Sequence, residues 1–196
     1  VYAGSSSVHG DKYANPYTFT KWLGEEVVNM YSKIYNVPTS ICRFYNVYGE
    51  HQATEGAYCN VLGIFQRLHN EGKPLTITGD GEQRRDFTYV GDIVDGLARC
   101  MQAMHGVVDM RFAGEVFELG RGKNYSINEI AEAFTPDGWD ALTHGLNEGE
   151  SYPTEYIDAW KGEVRNTLNT DTKARDVLDW KPKMDVLDYI RENYAR

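Results

Sequence analysis

The feature that most limits what this chain can fold into is a long helical segment set between two β-like runs. Asn15-Pro16 opens it. Asn is a strong N-cap, and Pro tolerates the first helical position because the N–H it lacks would have no partner there. Val27, Val28, Tyr31, Ile34 and Tyr35 then recur at helical spacing, which predicts an amphipathic helix from Pro16 to Tyr35, ended by Asn36-Val37-Pro38. Before it, Val1-Tyr2-Ala3-Gly4 reads as a strand stub running into Ser5-Ser6-Ser7; after it, Thr39–Phe44 reads as a buried strand. Strand, helix, strand is the order of a parallel sheet, so the expected fold class is α/β.

Further helices are expected over Val61–Asn70, Asp92–Met104 and Val186–Tyr194, with short strands at Leu75–Thr78 and Glu115–Leu119. Ser126-Ile127-Asn128-Glu129 fits a capping box that opens a helix to about Phe134, and Asp171 is suited to cap a helix ending near Asp179. Tyr31, Tyr35 and Phe65 sit at helical spacing and read as core, while residues 135–156 carry turn residues and little period. Acidic residues outnumber basic ones 29 to 20, for a net charge of -9, which argues against nucleic-acid or anionic-membrane partners. Cys42, Cys59 and Cys100 are far apart and form no metal or disulfide pattern. No apolar run approaches the roughly 20 residues that cross a bilayer, so a cytoplasmic protein is expected.

Chemistry enters with Tyr17-Thr18-Phe19-Thr20-Lys21. Residues four apart share a helix face, so a phenol and an ammonium point to the same side. A fixed cation favours phenolate, which makes such a tyrosine a usable acid/base near neutral pH, and a serine hydroxyl can complete a proton relay. The five histidines are scattered without a partner pattern and receive no role.

The ordered set S-S-S, N-P-Y-x-x-x-K, R-F-Y-N-V-Y-G and G-D-G-x-x-R-R-D-F-x-Y-V-x-D resembles the extended short-chain dehydrogenase/reductase family of NAD-dependent epimerases and dehydratases. It is similar to the UDP-glucose 4-epimerase group. The resemblance implies the C-terminal part of a Rossmann-like parallel sheet with a small α/β substrate-binding lobe. Residues 1–50 would belong to the NAD-binding domain with its Y-x-x-x-K helix. Residues 51–196 would form mainly the nucleotide-sugar lobe, with Rossmann elements returning near 86–120.

By the same resemblance Tyr17 matches the catalytic acid/base, Lys21 the lysine that holds the nicotinamide ribose, and Ser5 the catalytic Ser/Thr. Phe44 and Tyr45 fall near the cofactor face, and Asn46 matches an Asn that contacts the sugar nucleotide. Asn60 and Val61 fall in the segment that touches the diphosphate, Thr76 and Thr78 flank the strand passing the base, and Arg85 matches a pyrophosphate-binding arginine. Thr167 aligns with a position that gates sugar size. Asp92 is expected to cap the helix after it, and Arg84 to make a structural ion pair. A second phosphate-binding arginine of the family is replaced by Trp160, with Lys161 and Arg165 nearby.

Dehydratases and sugar-acid decarboxylases of the family carry an acid just after the catalytic Ser/Thr, where this chain has Ser6 and Ser7. The resemblance therefore implies a UDP-hexose or UDP-N-acetylhexosamine 4-epimerase. The alternatives are an ADP-heptose 6-epimerase-like enzyme or a non-catalytic sugar-nucleotide-binding subunit. No Gly-rich dinucleotide turn is found in the sequence, so the N-terminal cofactor half is expected to be missing. A homodimer, or a partner chain supplying that half, is expected to follow, with the Tyr17 helix as an interface. A metal is not implied.

Overall fold

A computed structural model describes residues 1–56, 59–105, 114–137, 140–144, 147–159 and 162–195. Its elements run β1 (Tyr2–Ser5), α1 (Pro16–Tyr35), β2 (Ser40–Phe44), β3 (Asn46–Tyr48), α2 (Val61–Asn70), β4 (Leu75–Thr78), β5 (Arg84–Tyr89) and α3 (Val90–His105). They continue with β6 (Glu115–Leu119), β7 (Asn124–Ser126), α4 (Ile127–Glu132), β8 (Thr154–Ile157), α5 (Lys173–Leu178) and α6 (Val186–Tyr194). The chain divides into two compact units. The first holds residues 1–47, 88–122 and 169–183, and the second holds 48–87, 123–168 and 184–196. Residues 169–183, assigned from sequence to the substrate lobe, therefore return to the first unit.

The first unit is a parallel sheet ordered β1-β2-β6, the arrangement the βαβ pattern predicts. Side chains alternate across a strand. Arg43 on β2 thus faces α1, where it pairs with Glu25, while Cys42 faces α3 and touches Cys100 at 3.3 Å. On that second face Cys42, Ile93, Cys100, Phe117, Leu119, Leu178 and Trp180 form a buried core. Trp180 is locked by its indole N–H, which donates to the Asp92 carbonyl at 2.7 Å.

Helix α1 has the predicted bounds, and Asn15 Oδ1 accepts from Thr18 N at 2.9 Å as its cap. The helix rides close on β1 at Gly24, where an added Cβ would run into the Tyr2 phenol. Its outer stripe departs from expectation: Tyr31 is 48% and Tyr35 63% exposed, so neither is core, and Leu23, Val27, Met30 and Ile34 are exposed beside them. A helical period marks an apolar side, but period alone does not say what covers it.

In the second unit β4 pairs with β8 in parallel, and β5 with β7 antiparallel. Asn60 caps α2, its Oδ1 accepting from Gly63 N at 2.9 Å, and Ser126 with Glu129 completes the expected capping box of α4. The interior is rich in rings. Phe134 packs against Phe65 at 6.0 Å and Tyr194 at 5.2 Å, and His69 lies 4.9 Å from Tyr152. Strands β5, β7 and β8 were not anticipated. At the helix starts, Asp92 lies inside the first turn of α3 rather than capping it, whereas Asp171 Oδ1 accepts from Lys173 N at 2.8 Å at the start of α5, one residue before the N-cap position Thr172. Asp92 Oδ2 instead accepts from Lys183 N at 2.9 Å.

Candidate functional site

The candidate residues fall in both units, and each set stands on its own geometry. In the first unit, strand register sets Ser5 beside Phe44 and Phe44 beside Leu119, so the three lie in a row at the carboxyl ends of β1, β2 and β6. Ligands of open parallel sheets bind at that edge. Ser5 is buried, and its Oγ accepts from Ser7 N at 3.2 Å, which opens a tight single turn over Ser6–His9. Gly120 follows β6, and a Cβ there would press on the Tyr45 ring and on Asn169, so Tyr45 lies against a strand end that must stay bare. Asn46 is half-buried at the start of β3.

Tyr17 and Lys21 occupy the first two turns of α1. Lys21 Nζ donates to the Ala3 carbonyl on β1 at 3.0 Å and lies 5.9 Å from the centre of the Tyr17 ring. The ammonium is thus tied to the strand that ends in Ser5, one residue pair away along the chain, while Tyr17 remains 48% exposed. The neighbouring Tyr2 phenol is pushed above its ordinary pKa, first by burial, then by the Glu25 charge and Tyr17. This arrangement can exchange a proton through an accessible phenol next to a fixed cation.

In the second unit, Arg85 on β5 is largely buried. Its Nη1 donates to the Arg84 carbonyl at 3.0 Å and its Nη2 to Glu163 Oε1 at 3.2 Å. Burial lowers its pKa, which the Glu163 charge opposes and the Arg165 charge reinforces, so a second guanidinium stands within electrostatic reach. Arg165 itself grips Asp80 through two bonds of 2.8 and 3.0 Å. Asp80 is held down at about 2 by that grip. Thr167 lies alongside β5, donating its N–H to the Arg84 carbonyl at 3.0 Å while its Oγ1 accepts from Asp86 N at 3.2 Å.

Thr76 and Thr78 share the half-buried face of β4, opposite the buried Leu75 and Ile77. Asn60 and Val61 open α2 at the N-terminal end of that helix. Arg84 makes the expected structural pair, with Glu129 at 2.9 Å. Trp160 and Lys161 lie outside the described residues.

Sequence reading missed the partners. Glu163 for Arg85 and Asp80 for Arg165 are joined only by folding, and no spacing rule announces them. It also missed a four-membered network under α1: Glu25 and Arg43 paired at 2.7 Å, with Arg43 and His9 each 3.0 Å from Glu118 Oε1.

Comparison with known proteins fits this layout. The family described as GDP-mannose 4,6 dehydratase matches residues 11–193. An uncharacterised UDP-glucose epimerase of Bacillus subtilis is 29% identical over all of this chain and 59% of its own length. A putative UDP-glucose 4-epimerase of Methanocaldococcus jannaschii is 32% identical over 90% of this chain and 51% of its own. Among solved structures, UDP-glucuronic acid 4-epimerase from Bacillus cereus, in complex with UDP-glucuronic acid and NAD, aligns with a TM-score of 0.74 and 29% identity, covering 98% of this chain and 59% of that one. The chain therefore spans about half to three-fifths of the length of these relatives.

Proposed function

We propose, for a chain that belongs to the NAD-dependent epimerase/dehydratase family, that it carries the acid/base pair and the sugar-nucleotide lobe of a UDP-sugar 4-epimerase. The observation that carries this reading is the Tyr17–Lys21 pair, with the ammonium tied to Ala3 O on the strand that ends in Ser5. The similar proteins point the same way, among them a putative UDP-glucose 4-epimerase and a UDP-glucuronic acid 4-epimerase.

The residues present suit the nicotinamide-ribose end of NAD. An accessible phenol and an ammonium lie on one helix face, and the strand end at Gly120 is kept free of a side chain. NAD, where bound, would supply the hydride acceptor for the sugar hydrogen. Tyr17 as phenolate removes the proton from the sugar hydroxyl, and as phenol returns it. Lys21 steadies the phenolate and holds a ribose hydroxyl, and Ser5 bridges the sugar oxygen to the phenol. In the other unit Arg85 offers a planar fork for the diphosphate, a task its geometry suits better than a lysine's.

Epimerisation is favoured over dehydration because Ser6 and Ser7 supply no carboxylate beside Ser5 to assist loss of water. Thr167, whose side chain is small and fixed to β5, is proposed to leave room for an N-acetyl group at C2. The exposed stripe Leu23, Val27, Met30, Ile34 supports a helix-to-helix contact of α1 with a second chain, which sedimentation at rising concentration checks.

The test is interconversion of UDP-glucose and UDP-galactose with added NAD, comparing wild type with Tyr17→Phe. Loss of general acid/base action is expected to lower turnover by about 10²–10⁴-fold, with UDP-hexose binding in a calorimeter unchanged. Equal turnover by the two proteins rejects the role of Tyr17, and turnover of UDP-glucose without UDP-GlcNAc rejects the role of Thr167.

A further inference from the structure

Ser5 sits at the head of a short turn whose internal ties are few. Ser5 Oγ accepts from Ser7 N, Gly10 N donates to Ser7 O at 3.2 Å, and Val8 is buried beneath it. The last residue of that turn, His9, reaches beyond the neighbouring strand. Register aligns Gly4, Arg43 and Glu118 in a row across β1, β2 and β6, and His9 Nε2 lies 3.0 Å from Glu118 Oε1 at the end of that row.

We propose that His9 is a positioning residue: as an imidazolium it clasps the Ser5–Gly10 turn to Glu118 on β6, and the clasp loosens when His9 gives up its proton. The role as aid to catalysis rests on the assignment of Ser5 above, whereas the clasp itself does not.

Arg43 is the guanidinium in contact with two carboxylates, and three of its four contacts go to Glu25, through Nε at 3.0 and 3.2 Å and Nη2 at 2.7 Å. One remaining bond of 3.0 Å goes to Glu118 Oε1. Glu25 is 2% and Glu118 7% exposed, so water does little to offset the second negative charge. A protonated His9 makes the set neutral; a neutral His9 leaves it with one uncompensated charge under the sheet face. Burying such a charge is costly.

Glu118 Oε2 is buried and accepts no hydrogen bond from the described residues, so both cations act on the single oxygen Oε1. Removing either leaves that carboxylate with one partner. The groups that face His9 are Glu118 on β6, Arg43 on β2 and Glu25 on α1. The bond His9 donates to Glu118 is the main cause that raises the histidine, burial and Arg43 oppose it, and the Glu118 and Glu25 charges add to it. Burial alone would raise the Glu118 carboxyl, but the bonds from His9 and Arg43 outweigh it and hold it below its ordinary value. The imidazole is half exposed, so it exchanges protons freely with solvent while its partner does not.

The test uses the chain as it is, with NMR titration of His9 and amide hydrogen exchange of residues 6–10, corrected for intrinsic exchange. In wild type His9 is expected to titrate above 6.5, and turn protection to fall by about fivefold as pH rises through that titration. Glu118→Gln should return the titration to about 6.5 or lower and remove the pH dependence. His9→Gln, which keeps a neutral donor to Glu118, should give intermediate protection that is flat with pH, and His9→Ala the lowest protection. Turn protection that ignores pH in wild type, or is unchanged in His9→Ala, overturns the proposal. Neither readout involves turnover, so this outcome is separable from that of the Tyr17→Phe assay. Where turnover is present, His9→Gln is expected to flatten the alkaline arm of kcat with KM unmoved.

Discussion

The two units place their charges in opposite ways. The first gathers Glu25, Arg43, Glu118 and His9 beneath α1, with both carboxylates nearly closed to solvent. The second sets some of its pairs on the outside, as with Asp80 and Arg165, encloses Arg85 with Glu163 more closely, and keeps a histidine among rings, His69 beside Phe134, Tyr152 and Tyr194. A closed network fixes where its members stand, because any change strands a buried charge. An open pair can part and re-form at small cost. The contrast suits the proposed task of the first unit, which must hold a proton-transfer geometry; in the second, the open Arg165–Asp80 pair stands apart from the more enclosed Arg85–Glu163 pair.

The largest effect that could break this comparison is stability. Glu25→Ala leaves Arg43 without its two-pronged partner and is expected to cost about 3–5 kcal/mol in chemical denaturation. Asp80→Ala should be hard to distinguish from wild type in the same experiment, since both members of its pair are open to solvent. Equal losses in the two variants would erase the distinction between the units.

Next comes pH, where the two histidines carry opposite signs. The bond to Glu118 raises His9, so its contribution is complete below the unfolded value near 6.5 and is lost as pH climbs through the higher folded value. Burial lowers His69, and its Nδ1 is buried with no partner among the described residues. Its contribution is complete above about 6.5 and is lost as pH falls through the lower folded value. Site-resolved hydrogen exchange from about pH 5 to about pH 8 should therefore show protection falling with pH near His9 and rising with pH near His69. Two slopes of the same sign would refute this. His69→Phe should flatten the second slope alone.

The smallest effect is a control. Asn15 caps α1 and Asn60 caps α2 by the same bond, a side-chain oxygen to a backbone N–H, each 2.9 Å long. Asn15→Ala and Asn60→Ala are each expected to cost about 1 kcal/mol. Similar losses would show that the units differ in their long-range networks rather than in local helix chemistry.

What could be read in the sequence follows the same division between local and long-range. Caps are local, so α1, α2 and α4 were legible from Asn15-Pro16, from the period after Asn60, and from Ser126 with Glu129. Strand β8 was not, because all four of its residues are exposed and it has no buried face to impose alternation. Strand β5 carries Arg84, Arg85 and Asp86 and reads as a charged motif before it reads as a strand. In the candidate site, the Tyr17–Lys21 spacing declared a shared face in advance. The partner of Arg85, 78 residues away, and that of His9 could emerge only from the fold.

Gly24 gives the close approach of α1 to β1 a use in design. At Gly24 the helix lies so close to the Tyr2 phenol that an added side chain would collide with it, and Tyr17 and Lys21 ride on the same rod. A graded series at this position, Gly24→Ala, Gly24→Ser and Gly24→Val, would act as a ruler, lifting the rod by increasing amounts. The span over which a proton must hop could then be tuned by a residue that has no chemistry of its own.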